Sequence, residues 1–323
     1  MNSNLPFPRL VGDVGGTNAR FAWWPASGAP LERVATLRCA EFTTLGEAMR
    51  RYLADQGLPS PRECAIGIAN PVAGDRIKMT NHHWSFSISE LQQEMGFGRF
   101  VVVNDFTALA LALPGLAPAQ LRQVGGGAAI AGAPMALIGP GTGLGVSGLL
   151  PTHAGAWLPL SGEGGHVTLC GATPREDAVI AQLRQRFGHA SAERAVSGQG
   201  LENLYGALQA LDAMPDAPLS AADISQRALA GGDAQAAEAL AIFCALLGSV
   251  AGNLALTLGA FGGVYIGGGI VPRLGDYFDR SDFRARFEAK GRFTALLASM
   301  PVFVIDASTS PALDGAARAL DMA

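Results

Sequence analysis

Two short apolar runs in this chain each end in a glycine-rich turn containing threonine. They read Leu10-Val-Gly-Asp-Val-Gly-Gly-Thr17 and Leu137-Ile-Gly-Pro-Gly-Thr-Gly143. Glycine allows tight turns and close backbone approaches that a Cβ forbids. Ala19-Arg-Phe-Ala-Trp-Trp24 follows the first turn and Leu144-Gly-Val-Ser-Gly-Leu-Leu150 the second, and both are strand-like. Each turn is therefore predicted to be the tip of a β-hairpin. Consecutive N–H groups at such tips can converge on phosphate oxygens. Gly12, Val14, Gly15, Gly16 and Thr17 form one candidate cradle, and Gly141, Thr142 and Gly143 the other. Asp13 adds a hard oxygen suited to Mg²⁺, through water. Either turn alone reads equally well as an ordinary glycine turn. The pair, with Asp13 in the first, predicts a cleft whose two halves grip one polyphosphate.

Neither turn belongs to a commoner nucleotide motif. No lysine follows at the Walker position, and no strand–loop–helix unit with an acidic residue some twenty positions on surrounds residues 139–145.

A chain of 323 residues suggests two domains. Charged residues are 15% and hydrophobic ones 49%, which fits sheets covered on both faces. The net charge of −4 argues against a nucleic-acid partner. Cys39, Cys64, Cys170 and Cys244 are dispersed with no C-x-x-C pair, which fits a reducing cytoplasm. Met1–Leu10 has two prolines and no apolar core segment, so no signal peptide is expected. Ala239–Pro272 carries no charge and is long enough to span a bilayer. Its glycines, Asn253 and the lack of a basic flank favour a buried helix over about 236–258, then a strand at Gly263–Ile266. No membrane partner is expected.

The pattern alternates strand and helix. Leu10–Asp13, Ala19–Trp24 and Arg33–Cys39 read as strands, and Leu45–Gln56 as a helix stopped by Gly57 and Pro59. Strand Cys64–Ala69 runs into Asn70-Pro71. Ser89–Met95 is predicted as a short helix with Ser89 as N-cap. Phe100–Val103 is a strand, followed by helix Phe106–Leu113 closed by Pro114-Gly115. The hairpin-first order recurs at Pro134–Gly139 and Val146–Leu150, 127 positions on when Gly12 and Gly139 are compared. Residues 175–250 read as mainly helical, Pro301–Ile305 as a strand and Pro311–Met322 as a final helix. A repeated α/β unit with a cleft between the copies is the expected layout.

Phe100-Val-Val-Val-Asn-Asp105 is a buried strand ending in two polar residues. Ligands gather at the carboxyl ends of strands in such sheets. Taken alone, Asn104 or Asp105 reads first as a cap on the next helix. Leu160-Ser-Gly-Glu-Gly-Gly-His166 then sets Glu163 and His166 among glycines. A carboxylate and an imidazole on such a loop suit a polyhydroxylated ligand. A metal fits less well, since no third ligand lies nearby at the required spacing.

Taken together, Gly12-Asp-Val-Gly-Gly-Thr-Asn18, Val103-Asn-Asp-Phe106, Gly139-Pro-Gly-Thr-Gly-Leu-Gly145, Gly162-Glu-Gly-Gly-His166 and Gly267-Gly-Gly-Ile270 resemble the bacterial glucokinase family, of proteobacterial type. The cysteine-rich zinc loop of repressor-related sugar kinases is absent. The resemblance implies duplicated actin/hexokinase-like (ribonuclease H-like) α/β domains with an inter-domain cleft. Residues 1–115 plus 306–323 would form the small domain, and 116–305 the large one with a helical insertion. It further implies ATP-dependent phosphorylation of glucose at the 6-hydroxyl, Mg²⁺ near Asp13, and a homodimer. Asn104, Asp105, Glu163, His166 and Glu193 would hold the sugar, with Asp105 as general base. Glu193 enters only through Ser191-Ala-Glu-Arg-Ala-Val-Ser-Gly198; alone it reads as a surface residue. Gly268 and Gly269 would let adenosine lie against backbone. Asn81-His-His-Trp84 also resembles a family segment, without an assigned role. His82, His83, His153 and His189 read as structural or exposed. A kinase for fructose or mannose, or a non-catalytic sugar sensor, would fit many of the same features. An actin-like chaperone would need a longer chain.

Overall fold

A computed structural model describes residues 7–215, 217–306 and 311–322. The first six residues of the N-terminal segment and positions 307–310, near the expected domain boundary, lie outside them. The chain forms two compact units. One comprises the described residues up to Leu116 together with those from Pro311 on. The other runs from Ala117 to Asp306.

The first unit is built on a five-stranded sheet. Its strands are β1 (Arg9–Val14), β2 (Asn18–Trp24), β3 (Glu32–Arg38), β4 (Glu63–Ile68) and, after a small hairpin of β5 (Arg76–Lys78) and β6 (Ser85–Ser87), β7 (Arg99–Asn104). The order is β3-β2-β1-β4-β7, antiparallel from β3 to β1 and parallel from β1 to β7. β4 is buried at every position, as a strand covered on both faces must be. The period-2 alternation of β1 and β2 divides their side chains between the faces. Leu10, Val14 and Phe21 pack with Met49 and Tyr52 of α1 (Leu45–Asp55). Val11 and Ala22 pack with Leu313 and Ala317 of the final helix, Pro311–Ala319.

α1 starts at a capping box in which Thr44 and Glu47 bond each other's backbone N–H. The next helix, α2 (Ile88–Met95), is capped by Ser87 rather than the expected Ser89. Ser87 Oγ accepts the Glu90 N–H and also bonds Asp75 across the β5–β6 hairpin, a pairing too local to announce itself in the sequence. α3 (Asp105–Ala112) follows β7 directly.

The second unit has a six-stranded sheet: β8 (Leu121–Gln123), β9 (Met135–Pro140), β10 (Leu144–Pro151), β11 (Trp157–Ser161), β12 (Val264–Ile266) and β13 (Val302–Ile305). Its order is β11-β10-β9-β12-β13-β8. Strands β11 to β9 are antiparallel and β9 to β13 parallel, with β8 added antiparallel at the far edge. Leaving β8 aside, the order and sense repeat those of the first sheet. β8 and β11 were not expected. Both are edge strands, and β11 carries Pro159 mid-strand, a position an edge tolerates.

Helices α4 (Pro174–Phe187), α5 (Gly198–Leu211), α6 (Ala221–Ala230) and α7 (Ala234–Leu258) cover this sheet, followed by α8 (Ile270–Leu274), α9 (Asp276–Arg280), α10 (Phe283–Glu288) and α11 (Thr294–Ser299). α7 is the uncharged stretch read as a buried helix. By length and composition it could cross a membrane, but 72% of its most apolar window is buried inside the protein. Gly248 and Gly252 let it meet the α10 backbone, since a Cβ at either would stand 2.2 or 2.5 Å from the carbonyl oxygens of Phe283 and Phe287. Its few polar groups find partners. Arg286 bonds Ser249 Oγ and Glu176, and Lys290 bonds Asn253 Oδ1.

Candidate active site

In the first unit, β1 and β2 meet at the tip Gly15-Gly16-Thr17, closed by the Gly15 N–H donating to Asn18 O at 2.9 Å. A cavity of about 340 Å³ opens here, lined by Asp13, Gly15, Gly16, Thr17, Asn18, Arg20 and Thr36. A Cβ at Gly15 would meet nothing nearer than 3.5 Å, so the bare backbone faces open space. Gly16 needs its hydrogen for another reason, since a Cβ would stand 2.8 Å from the Asn81 carbonyl. This seats the Asn81–Trp84 segment against the tip. Trp84 anchors that segment, buried and donating to Phe42 O at 3.0 Å. Gly12 and Val14 look inward. A Cβ on Gly12 would strike Ile66 and Phe21, and Val14 is fully buried.

β1, β4 and β7 run parallel, so their carboxyl ends lie side by side. Asp13, Asn70 and the pair Asn104–Asp105 stand at those ends. Asn104 is the N-cap of α3: Oδ1 accepts the N–H groups of Phe106 and Thr107, and Nδ2 donates to Asn70 O. The cap reading thus holds for Asn104, whose carbonyl oxygen is committed to the helix. Asn70 in turn receives the Thr80 N–H, tying the strand end to the segment before Asn81. The sequence marked Asn70 only as a strand terminus; its position at the carboxyl end of a parallel strand was the available signal.

Asp105 Oδ1 accepts the Phe106 N–H at 2.9 Å. Burial pushes its carboxyl up to about 6; hydrogen bonding restrains the rise and the charge of Asp13 adds to it. Burial also raises Asp13, with Arg20 pulling the other way. Glycine brings α3 close to its neighbours. A Cβ on Gly67 of β4 would stand 2.9 Å from Ala108 Cβ, and one on Gly315 of the final helix 1.7 Å from Ala108 O.

In the second unit, β9 and β10 meet at Gly141-Thr142-Gly143. A Cβ on Gly141 would meet no atom within 4 Å, so this backbone is equally bare. Gly268, at φ +80°, packs on the same hairpin; a Cβ there would stand 2.3 Å from Pro140 O. Gly269 precedes α8, and a Cβ there would make ordinary contact with the Arg273 guanidinium at 3.6 Å. Glu163 and His166 bracket one 3₁₀ turn, with the His166 N–H donating to Glu163 O. Both side chains are exposed. Glu193 approaches His166: its Oε1 lies 4.0 Å from His166 Nε2. Its Oε2 accepts the Leu144 N–H at 2.9 Å. Thr142 is exposed at this tip.

The residues suit an ATP–Mg²⁺ pair. Each tip presents one unobstructed glycine, Gly15 or Gly141, as close phosphate approach demands. Asp13 and the Thr17 hydroxyl supply hard oxygen donors in the cavity.

Two α/β units of this topology, each with a bare glycine hairpin tip and an acidic strand end or loop beside it, define a phosphotransferase of the sugar-kinase fold group. The glucokinase family profile matches residues 10–323. The chain is 60% identical over 318 residues to glucokinase of Aromatoleum aromaticum, covering 98% of this chain and 96% of that protein. It is 56% identical to glucokinase of Chromobacterium violaceum, covering 99% and 92%. Among solved structures, glucokinase from an Antarctic psychrotroph matches with a TM-score of 0.89 at 37% identity, over 98% of this chain and 99% of that one. This chain belongs to the glucokinase family.

Proposed function

We propose that this protein transfers the γ-phosphoryl group of ATP to the 6-hydroxyl of D-glucose, giving glucose 6-phosphate and ADP. Membership of the family supports the reaction. The single observation that carries the mechanism is Asp105, a carboxylate at a strand end whose carboxyl burial has pushed up to about 6. A sugar hydroxyl is a poor nucleophile, so a base must take its proton as the bond to phosphorus forms. A carboxylate poised near neutrality does this best, being mostly ionised yet basic.

The remaining roles are assigned by the chemistry of each cluster. Asp105 accepts the 6-hydroxyl proton, while Asn104 holds the backbone that aims it. Glu163, His166 and Glu193 pair with sugar hydroxyls. At the two tips the Gly15 and Gly141 N–H groups close the turns on Asn18 O and Gly143 O, leaving those of Gly16, Thr17, Thr142 and Gly143 for phosphate oxygens, and Gly268–Gly269 flank the adenosine. Bound Mg²⁺, held through Asp13, would neutralise phosphate charge. No Walker lysine or arginine finger is assigned, so transition-state charge falls to these donors. One reaction needs both sets of residues. Binding of the sugar excludes water, which would otherwise accept the phosphoryl group.

The repeated strand order supports reading the two units as duplicated ribonuclease H-like domains, divided near residues 115 and 306. We also propose a cytoplasmic homodimer, for which the dispersed free cysteines suit a reducing compartment. A coupled assay of ADP release against glucose, fructose and mannose tests the reaction. Saturable turnover with glucose is expected; a clear preference for another hexose, or none with any, would overturn it.

A further inference from the structure

The geometry points to a second role for Glu193: it positions the phosphate loop of the second hairpin, so that one carboxylate serves both substrates. This rests on the proposed reaction and extends it.

The tip Gly141–Gly143 is held at both ends by one short stretch of chain. On its entry side, Gly141 O accepts the Gly198 N–H at 2.8 Å. On its exit side, the Leu144 N–H donates to Glu193 Oε2 at 2.9 Å. Residues 193 and 198 are themselves locked together, since Ser197 Oγ donates to Glu193 O at 2.8 Å while capping α5. A charge-assisted bond from a backbone N–H is a strong tether. Gly143 has no Cβ because this carboxylate occupies the space, which would lie 2.5 Å from Glu193 Oε2. The other oxygen, Oε1, faces His166. A ligand hydroxyl that engages Oε1 therefore fixes the same carboxylate that fixes the phosphate loop. Sugar and nucleotide become linked through one group, and linkage in binding is reciprocal.

A sugar ligand and nothing more would leave nucleotide affinity untouched when no sugar is present. Calorimetric titration of a non-hydrolysable ATP analogue with Mg²⁺, in the absence of glucose, separates the cases. Glu193→Ala should weaken that affinity roughly tenfold, the scale of one lost hydrogen bond to a charged group. Glu193→Gln should restore most of it, because the amide oxygen can still accept the Leu144 N–H. Its glucose affinity should stay impaired. A folded Glu193→Ala protein with unchanged affinity for the analogue would overturn the proposal while leaving the kinase reading intact. Wild-type protein that binds no analogue and phosphorylates no glucose would overturn both. Gly143→Ala provides a second arm should Glu193→Ala fail to fold. Its methyl displaces the carboxylate, so glucose affinity measured without nucleotide should fall several-fold; unchanged glucose affinity would equally overturn the shared role.

Discussion

The proposed role of Asp105 as a base comes at a cost to the fold. A carboxylate whose folded pKa lies above its unfolded value contributes most to stability below the unfolded value, near 4. That contribution is lost as pH rises through about 6. Above pH 6 the ionised, buried group weighs against folding. Asp105→Asn should therefore raise the melting temperature at pH 7.5 and leave it nearly unchanged at pH 4. The gain should be about 1–2 kcal/mol after allowance for partial exposure. Scanning calorimetry at the two pH values checks this; a lower melting temperature at pH 7.5 would contradict it. The same ionisation should appear as an acidic limb near pH 6 in kcat/KM for glucose. Asp105→Ala should lower kcat by about 10²–10⁴, the scale of a lost general base. Near-normal turnover would exclude Asp105 from that role.

Among the elements, the two hairpins and α3 carry the most information. Gly15 and Gly141 face open space, whereas Gly268 and Gly315 face backbone. The two kinds of glycine should fail differently. Gly15→Val or Gly141→Val should raise KM for ATP with little loss of stability, because the branch obstructs only an approaching ligand. Gly268→Ala adds strain at φ +80° to a clash with Pro140 O, and Gly315→Ala forces α3 and the final helix apart. Both should destabilise by about 1–3 kcal/mol. Urea denaturation alongside ATP kinetics distinguishes the classes. Stability loss at Gly141, or none at Gly315, would show that the packing has been misassigned.

Over the whole molecule, the chain leaves its first unit near Leu116 and returns to it at the last helix. Buried charge secures the return. Arg9, fully buried, lies 2.8 Å from Glu63 Oε2 and 2.9 Å from Asp321 Oδ1, with Phe7 and Trp24 against its guanidinium. Arg99 donates to the carbonyls of Leu320 and Met322. Glu63→Ala leaves the buried Arg9 only the part-exposed Asp321 as a counter-charge, so it should cost about 3 kcal/mol, the low end for a broken buried pair. The double change Arg9→Met with Glu63→Leu should recover much of that loss. Equilibrium unfolding of both variants settles it, and equal losses would rule out a paired role.

The α/β class, both hairpins and their glycine tips, the buried uncharged helix and the family were legible in the chain. They depend on local chemistry: strand apolarity, the absence of Cβ at a tip, and residue order over short motifs. The places of Asp105 at a strand end and of Glu163 and His166 around one turn were legible for the same reason, each lying within a few residues of the motif that marks it. Ser87 as the α2 cap, the edge strands β8 and β11, and Asn70 were not read correctly or at all. Each is decided by a partner elsewhere in the fold: Asp75 for Ser87, β13 and β10 for the edges, Asn104 and Thr80 for Asn70. Glu193 shows the division most clearly. Its neighbours in sequence make it a polar residue on a short turn. Only the tertiary structure sets its carboxylate against Leu144 N, 49 positions away, because a hydrogen bond depends on atomic distance and direction, which sequence separation does not encode.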